Sequence, residues 1–406
     1  MLPCIEIVVA RNARSCGTTY RLIDFEGIAQ LARLLDGFAV EAHEIATTLG
    51  QHDELQPPGL RAAEDHARES AAMVLARATA AEPAPLWSSR KSFIGELPVG
   101  YELDALVAVN RAAVLGEIRQ VVEELNRLSA MGVRSGRYRE GLLADYETLV
   151  SLSGRRLVYF AVDRTISIGT RSRRAGYRAG IWIGPADAEH VLVMIPGMNT
   201  TTAGWLSDNV PDAGRLQREA ATLADQHGRG GVAVVPLLSY SPPQNFLDAT
   251  LGRFWKEGSA ETAAVLESLP LDGRHVVGWG HSYGAAVLGA TASTGGAFDD
   301  LIMAGGAGTG TETLEELGVS PDHLYVATNW NDPIRLVPND YHGVSPATLP
   351  HIEVPTAPAT GFDAWKAMLS VPWFLIDGLP DHDYLADETA TRAFAAIAIG
   401  LSDLTD

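Results

Sequence analysis

The spacing of apolar residues divides the chain into two regions that meet near residue 155. In the first region, apolar residues recur at intervals of three and four between Phe25 and Leu49, which is the pattern of an amphipathic helix. A further series repeats every seven residues, the spacing of a buried helix seam, and consists of Val107, Val114, Val121 and Leu128. We therefore predict a helical region over residues 1–154 that packs on the remainder of the chain.

Beyond residue 155, short runs of apolar and β-branched residues alternate with helical segments. The predicted strands cover residues 190–195, 232–236, 275–279, 300–304, 324–327 and 351–354. Alternation of strands and helices favours a mostly parallel sheet with right-handed crossovers, and the runs at 156–160 and 177–183 predict antiparallel edge strands. In such a sheet the functional residues lie on loops that follow the carboxyl ends of the strands.

Composition excludes several classes of partner. The 406 residues include 50 acidic and 31 basic side chains, a net charge of −19, and so acidic a surface repels nucleic acid and anionic lipid. No apolar run is long enough to span a membrane. The first residues lack the pattern of a secretory signal, so we expect a cytoplasmic protein in which Cys4 and Cys16 stay reduced. No cysteine–histidine cluster has zinc spacing, and neither a metal nor a cofactor is expected. The oligomeric state does not follow from the sequence.

The most specific motif is Gly280-His281-Ser282-Tyr283-Gly284, which lies between a predicted strand and a predicted helix of small residues. G-x-S-x-G in this setting is a nucleophile elbow, a sharp turn that exposes the serine hydroxyl above the sheet. The two glycines supply room for the turn. The plain alternative is a glycine-rich turn that closes a strand. We predict that Ser282 is a catalytic nucleophile and that His281 packs beside the elbow.

Chain order then predicts an acid and a histidine after the serine. Asp332 follows a predicted strand and is our candidate for the acid that orients the histidine, with Asp340 in reserve. Alternatively, Asp332 only forms an Asx turn with its neighbours. His382 follows the last predicted strand and is our candidate for the general base, whereas His342 and His351 precede or begin that strand. A histidine at this place in the chain can reach both the serine and the acid.

A second glycine-containing turn follows the predicted strand at 190–195. Its sequence is Pro196-Gly197-Met198-Asn199-Thr200, and a turn at this stage of the fold donates a backbone N–H to a developing oxyanion. We predict Met198 as that donor, with Gly197 as the alternative. The second donor is the residue after the nucleophile, Tyr283. The plain alternative is an ordinary turn at the end of a strand.

An aromatic-rich insertion separates the last predicted strand from His382. It covers residues 355–379 and either packs against the sheet or forms a lid or wall over a substrate pocket. The predicted substrate-binding residues come from this insertion and from two strand-ending loops, and are Asn199, Thr200, Tyr240, Trp365 and Trp373.

Together these segments resemble the actinobacterial α/β-hydrolase family Abhydrolase_8, also called DUF1023. The matching stretches include VLVMIPGMNTTTAGW, VVGWGHSYGAAVLGA, ATNWNDPI and DHDYL, in the family's order over about residues 155–406. The resemblance implies an α/β-hydrolase fold, a mostly parallel sheet flanked by helices, after an N-terminal helical region. Family members often carry such a helical region, sometimes similar to small helical substrates of type VII secretion, which leaves export by that route open.

The combined pattern predicts a serine hydrolase that cleaves an ester, thioester or lactone bond of a small, apolar substrate. Hydrolase folds also support acyl transfer, cyclisation or isomerisation, which is the second hypothesis. A non-catalytic binding protein on the same fold is the third, and the intact set of Ser, Asp and His argues against it. We further expect residues 1–154 to cap the active-site face of the domain formed by residues 155–406.

Overall fold

The computed structural model describes residues 21–23, 93–95, 101–295, 298–329, 332–336, 342–357 and 382–401. The predictions that lie outside these ranges concern the stripe from Phe25 to Leu49, both cysteines, Asp340, Trp365, Trp373 and the insertion beyond residue 357. In the described ranges, no helix has the length and apolar character needed to cross a membrane. Among the same residues, no group of three or more His, Cys, Asp or Glu side chains is arranged to hold a metal ion.

Two compact units divide the chain, residues 1–120 with 149–154 and residues 121–148 with 155–406. The first unit contains strands β1 (Arg21–Ile23) and β2 (Phe93–Gly95), which pair in antiparallel fashion. The predicted packing of residues 1–154 on residues 155–406 stays a prediction.

The predicted seven-residue series lies on one long helix. Helix α1 spans Tyr101–Ala130, and helix α2 spans Arg137–Ser153. All four members of the series are buried, as expected for a seam of apolar side chains on one helix face. Gly132 and Gly136 lie between the helices with φ of 75° and 121°, a region that only glycine adopts at little cost. The prediction of helices in this part of the chain is therefore confirmed.

The second unit contains an eight-stranded sheet. Its strands are β3 (Leu157–Val162), β4 (Tyr177–Ile181), β5 (His190–Ile195), β6 (Val232–Leu238), β7 (His275–His281), β8 (Asp300–Ala304), β9 (Leu324–Ala327) and β10 (Ile352–Glu353). They lie in the order β10-β9-β8-β7-β5-β6-β4-β3. Strands β5 to β10 are parallel, and β3 and β4 join them in antiparallel fashion. The predicted sheet is confirmed.

Helices cover both faces of this sheet. They are α3 (Val210–His227), α4 (Arg253–Ser268), α5 (Tyr283–Ala292) and α6 (Glu388–Ala398). Because successive side chains of a strand point to opposite faces, alternate residues join different cores. Leu192 and Ile302 pack with α3 and α6, whereas Leu301 and Met303 pack with α5. The parallel strands are thus buried on both sides, which explains their continuous apolar sequences.

Candidate active site

The elbow has the backbone geometry that its sequence predicts. Strand β7 runs directly into Ser282, which has φ of 54° and ψ of −122°. These angles lie in a sparsely populated region that a residue with a Cβ atom enters only under strain. Backbone hydrogen bonds hold the residue there. Its N–H donates to Ala304 O at 2.9 Å, and its carbonyl oxygen accepts from Ala285 N at 3.1 Å.

Both motif glycines are required by close backbone contacts. A Cβ atom on Gly280 would lie 2.7 Å from Ala285 Cα. A Cβ atom on Gly284 would lie 2.4 Å from Ile195 O and 2.6 Å from Pro196 O. These distances are too short for any side chain. The close approach of α5 to β5 and β7 therefore depends on glycine at both positions. The alternative of a plain strand-closing turn does not account for the strained serine between them.

The turn after β5 lies against Ser282. A Cβ atom on Gly197 would come within 2.9 Å of Ser282 Cβ and 3.5 Å of its Oγ. Among the described residues, no acceptor is within hydrogen-bonding geometry of the Met198 N–H. Tyr283 is the first residue of α5, so its N–H has no intrahelical acceptor. Two backbone donors therefore flank the serine, and the N-terminus of α5 adds a favourable field for an anion.

Hydrogen bonds within this turn and with the loop after β6 fix its shape. Asn199, at φ of 61°, donates its N–H to Pro243 O at 2.8 Å. Thr200 Oγ1 donates to Gly197 O at 2.8 Å. The buried Tyr240 hydroxyl donates to Pro196 O at 2.7 Å. Tyr240 therefore supports the turn, and its predicted contact with a substrate, like those of Asn199 and Thr200, stays a prediction.

Asp332 and His382 lie far apart in the chain but contact each other in the fold. Asp332 lies after β9 and His382 shortly before α6, and His382 Nδ1 is 2.6 Å from Asp332 Oδ2. Because an ionised carboxylate only accepts hydrogen bonds, Nδ1 carries the proton. Asp332 Oδ1 accepts a further hydrogen bond from Ile334 N at 2.8 Å. The Asp332 side chain is fully buried, so these bonds compensate for the loss of water.

The other ring nitrogen of His382 makes no hydrogen bond to any described residue, Ser282 included. This atom, Nε2, is buried. The ring packs against the end of β8, since a Cβ atom on Gly305 would lie 2.8 Å from His382 Cε1. With Nδ1–H bound to Asp332, Nε2 is the nitrogen that can accept a proton.

Sequence reasoning did not identify Tyr384 as part of this site. Its hydroxyl lies 2.6 Å from Asp332 Oδ2, the same oxygen that binds His382, and accepts from Asn329 N at 3.0 Å. Its side chain is buried in the core between the sheet and α6. The only available signal was its position two residues after the candidate histidine in DHDYL.

His281 packs beside the elbow, as predicted, and also contacts the segment that carries His382. Its ring stacks on Trp279 at a centroid distance of 5.7 Å. Its Nε2 donates to the backbone carbonyl of His382 at 2.8 Å. Loss of hydration lowers the pKa of His281 to about 4, with the neighbouring His382 as the second cause. His281 is therefore neutral at pH 7 and acts as a hydrogen-bond donor.

The other two histidines that follow Asp332 in the chain, His342 and His351, lie elsewhere in the fold. His342 is buried, and its ring lies 5.1 Å from that of Tyr283 in an edge contact. Burial lowers the pKa of His342 to about 4. His351 lies beside β10, with Nε2 at 3.1 Å from Glu353 Oε2. The histidine that bonds Asp332 is His382.

Comparison with known families agrees with this geometry. Residues 174–340 match the model of the Abhydrolase_8 family, described as alpha/beta hydrolase. This part of the chain belongs to that α/β-hydrolase family. The match includes the turn after β5, the turn at Ser282 and Asp332, and the fold around them has the strand order and helix layers described above. His382 lies beyond the matched range.

Relatives in mycobacteria match part of the chain. Uncharacterized proteins of Mycobacterium bovis and Mycobacterium tuberculosis are 30% identical over 182 residues, 41% of this chain and 66% of theirs, just under two thirds of their length. Among solved structures, a dienelactone hydrolase-like promiscuous phosphotriesterase from metagenomic libraries is 17% identical (TM-score 0.33) and covers 55% of this chain and 92% of its own. A dienelactone hydrolase of Anabaena variabilis is 15% identical (TM-score 0.27), with 49% and 91% covered. The fold assignment rests on the family match and the strand order, and not on these two structures.

Proposed function

We propose that this α/β-hydrolase is a serine hydrolase that cleaves an ester, thioester or lactone bond of a small, apolar substrate. In this proposal Ser282 is the nucleophile, His382 the general base and acid, and Asp332 the residue that orients and stabilises the histidine. The N–H groups of Met198 and Tyr283 bind the oxyanion. The observation that carries the proposal is the buried Nε2 of His382, left without a partner while Nδ1 is bonded to Asp332.

The first half of the reaction forms an acyl-enzyme. Ser282 Oγ attacks the carbonyl carbon as His382 Nε2 takes the hydroxyl proton. The negative charge moves to the carbonyl oxygen, where two backbone donors stabilise it. As the tetrahedral intermediate collapses, the bond to the leaving group breaks and Nε2 returns the proton to that group. Asp332 stabilises the transient imidazolium without taking its proton.

The second half of the reaction releases the acid. A water molecule gives one proton to His382 Nε2 and adds its oxygen to the acyl carbon. The second intermediate collapses with return of that proton to Ser282 Oγ, which regenerates the enzyme. The same acyl-enzyme would give a transferase or cyclase if an alcohol, amine or internal hydroxyl replaced water. Acyl transfer, cyclisation and isomerisation therefore remain outcomes of the test.

Labelling by a fluorophosphonate tests the nucleophile without knowledge of the substrate. We expect the native protein to react at Ser282 and Ser282→Ala to be inert. Ser293→Ala is the matched control, since Ser293 lies exposed just after α5 and its Oγ bonds Ala290 O, and this variant should label like the native protein. Absence of labelling in the native protein would support the non-catalytic binding protein instead.

Turnover of p-nitrophenyl esters then separates hydrolysis from the alternatives. We expect His382→Ala to abolish turnover and Asp332→Asn to lower it by roughly 10³- to 10⁴-fold, because the orienting carboxylate fixes the tautomer of the histidine. Asp340→Asn should be close to native. If Asp340→Asn is the damaging variant, the acid is Asp340. Labelling of Ser282 without ester hydrolysis would favour a transferase, cyclase or isomerase.

A further inference from the structure

One carboxylate oxygen of Asp332 is shared by two side chains from the same short segment. Oδ2 lies 2.6 Å from His382 Nδ1 and 2.6 Å from the Tyr384 hydroxyl. The other oxygen, Oδ1, is bonded to the N–H of Ile334. A buried, ionised carboxylate can accept all three hydrogen bonds.

The direction of the tyrosine hydrogen bond follows from its second partner. The N–H of Asn329 lies 3.0 Å from the same hydroxyl oxygen and can only donate. The single hydroxyl proton of Tyr384 is therefore left for Asp332. Burial, followed by the nearby Asp332, raises the pKa of the Tyr384 phenol well above its usual range, so the donor keeps its proton at any working pH.

The tyrosine also fixes the loop that carries the acid. Asp332 N donates to Asn329 O at 3.1 Å, so Asn329 and Asp332 are the two ends of one turn. Tyr384 bonds both ends, with its ring 1% exposed in the core beside α6. A buried ring that cannot shift easily therefore holds the acid at a fixed distance from the histidine two residues away.

We propose that Tyr384 is a positioning residue that holds the Asp332 carboxylate and lowers the affinity of the Asp332–His382 pair for its proton. This proposal rests on the proposed function of the pair. A hydrogen bond from a neutral hydroxyl draws charge from Oδ2, which leaves less negative charge on the carboxylate to stabilise the imidazolium that forms when His382 Nε2 takes up a proton. The effect belongs to the pair as a whole, because two strongly coupled groups titrate together.

Tyr384→Phe removes the hydroxyl and keeps the buried ring. The pair should then bind its proton more tightly, and the acid limb of the pH profile should move to higher pH by about one unit, as for loss of one charge-assisted hydrogen bond. The rate on the plateau should fall by less than about tenfold, since His382 and Ile334 still hold the carboxylate. The measured quantity is the second-order rate constant for fluorophosphonate labelling of Ser282 against pH.

Tyr146→Phe is the matched control. Tyr146 is a buried tyrosine of α2 whose hydroxyl has no hydrogen-bond partner among the described residues. We expect the midpoint of its acid limb to equal that of the native protein. If Tyr384→Phe lowers thermal stability or plateau rate but leaves the midpoint unchanged, the tyrosine is only a structural residue and the proposal is wrong.

A second substitution covers the case in which Tyr384→Phe does not fold. Site-specific replacement of Tyr384 by 3-fluorotyrosine changes the ring little and makes the hydroxyl a stronger donor. The midpoint should then move in the opposite direction, to lower pH. An unchanged or raised midpoint would contradict the proposal.

The proposal can also fail separately from the proposed function. Proton NMR follows the His382 Nδ1 proton, which should resonate far downfield because of its short bond to Asp332, and which His382→Ala identifies by its loss. The resonance moves as Nε2 takes up a proton, and the midpoint of that change should rise in Tyr384→Phe even if the native protein labels poorly. Strong labelling with no shift in this titration would reject the role of Tyr384 alone.

Discussion

The strained backbone of Ser282 predicts an unusual order of stability between two inactive variants. Ser282→Ala removes the hydroxyl but keeps the Cβ atom at φ of 54°. Ser282→Gly removes the Cβ atom as well. Because both variants lack the Ser282 hydroxyl, the difference between their stabilities reports the strain of the backbone at this position. We expect the glycine variant to be the more stable of the two.

The expected difference follows from two opposing effects. A residue held in a sparsely populated region of φ and ψ costs about 1–3 kcal/mol, and glycine releases most of that strain. Glycine also gives the unfolded chain more freedom, which lowers stability by about 0.4–1 kcal/mol. The free energy of unfolding of Ser282→Gly should therefore exceed that of Ser282→Ala by about 1 kcal/mol, or about 1–2 °C in Tm.

Thermal and urea unfolding of the two variants measure this difference, and Ser293 supplies the control. Ser293 ends α5 with φ of −62° and ψ of −19°, where alanine is unstrained. There the usual order should hold, with Ser293→Ala more stable than Ser293→Gly by about 0.5–1 kcal/mol. If Ser282→Ala is at least as stable as Ser282→Gly, the elbow stores no strain and the geometry argued above is wrong.

Two further predictions concern the surroundings of the elbow. Gly284→Ala places a methyl group 2.4 Å from Ile195 O, so expression and circular dichroism should show an unfolded or strongly destabilised protein; a native-like Tm would contradict the contact. The fold lowers the pKa of His281 to about 4, so the unfolded chain binds more protons than the folded protein between pH 6.5 and 4. Protonation of this group therefore leaves the free energy of unfolding unchanged above pH 6.5. Below that pH it lowers the free energy of unfolding, by about 2 kcal/mol at pH 5. His281→Gln keeps an N–H donor for His382 O, and its free energy of unfolding in urea should fall less between pH 7 and pH 5 than that of the native protein. An equal fall in both proteins would contradict this role of His281.

The elbow could be predicted from the sequence because its causes are local. A buried strand, two glycines and a helix of small residues follow one another without interruption. The contacts that require the glycines are made by the residues on either side and by the end of β5. The strand, the turn and the position of Ser282 therefore follow from patterns that a single sequence displays, whereas the place of β5 beside β7 is shown only by the fold.

Tyr384 could not be predicted in the same way. Its partner Asp332 lies 52 residues earlier in the chain, and no spacing rule connects a tyrosine to a carboxylate at that distance. His382 was found because the order of serine, acid and histidine restricts where a histidine can lie. No such order restricts a residue that supports the acid. Similarly, Tyr240 was predicted to line a pocket, and only the fold shows that its hydroxyl bonds Pro196 O.

The two interpretations of Asp332 that the sequence left open are both compatible with its hydrogen bonds. As an Asx turn requires, Oδ1 accepts the N–H of Ile334, two residues along the chain. Oδ2 accepts hydrogen bonds from His382 Nδ1 and from the Tyr384 hydroxyl. Because the carboxylate has two oxygens, the local turn orients one of them and thereby aims the other at the histidine. A turn-forming aspartate and a triad aspartate are thus compatible, and the turn is a reason why this acid, fixed by its own backbone, can hold the imidazole in one tautomer.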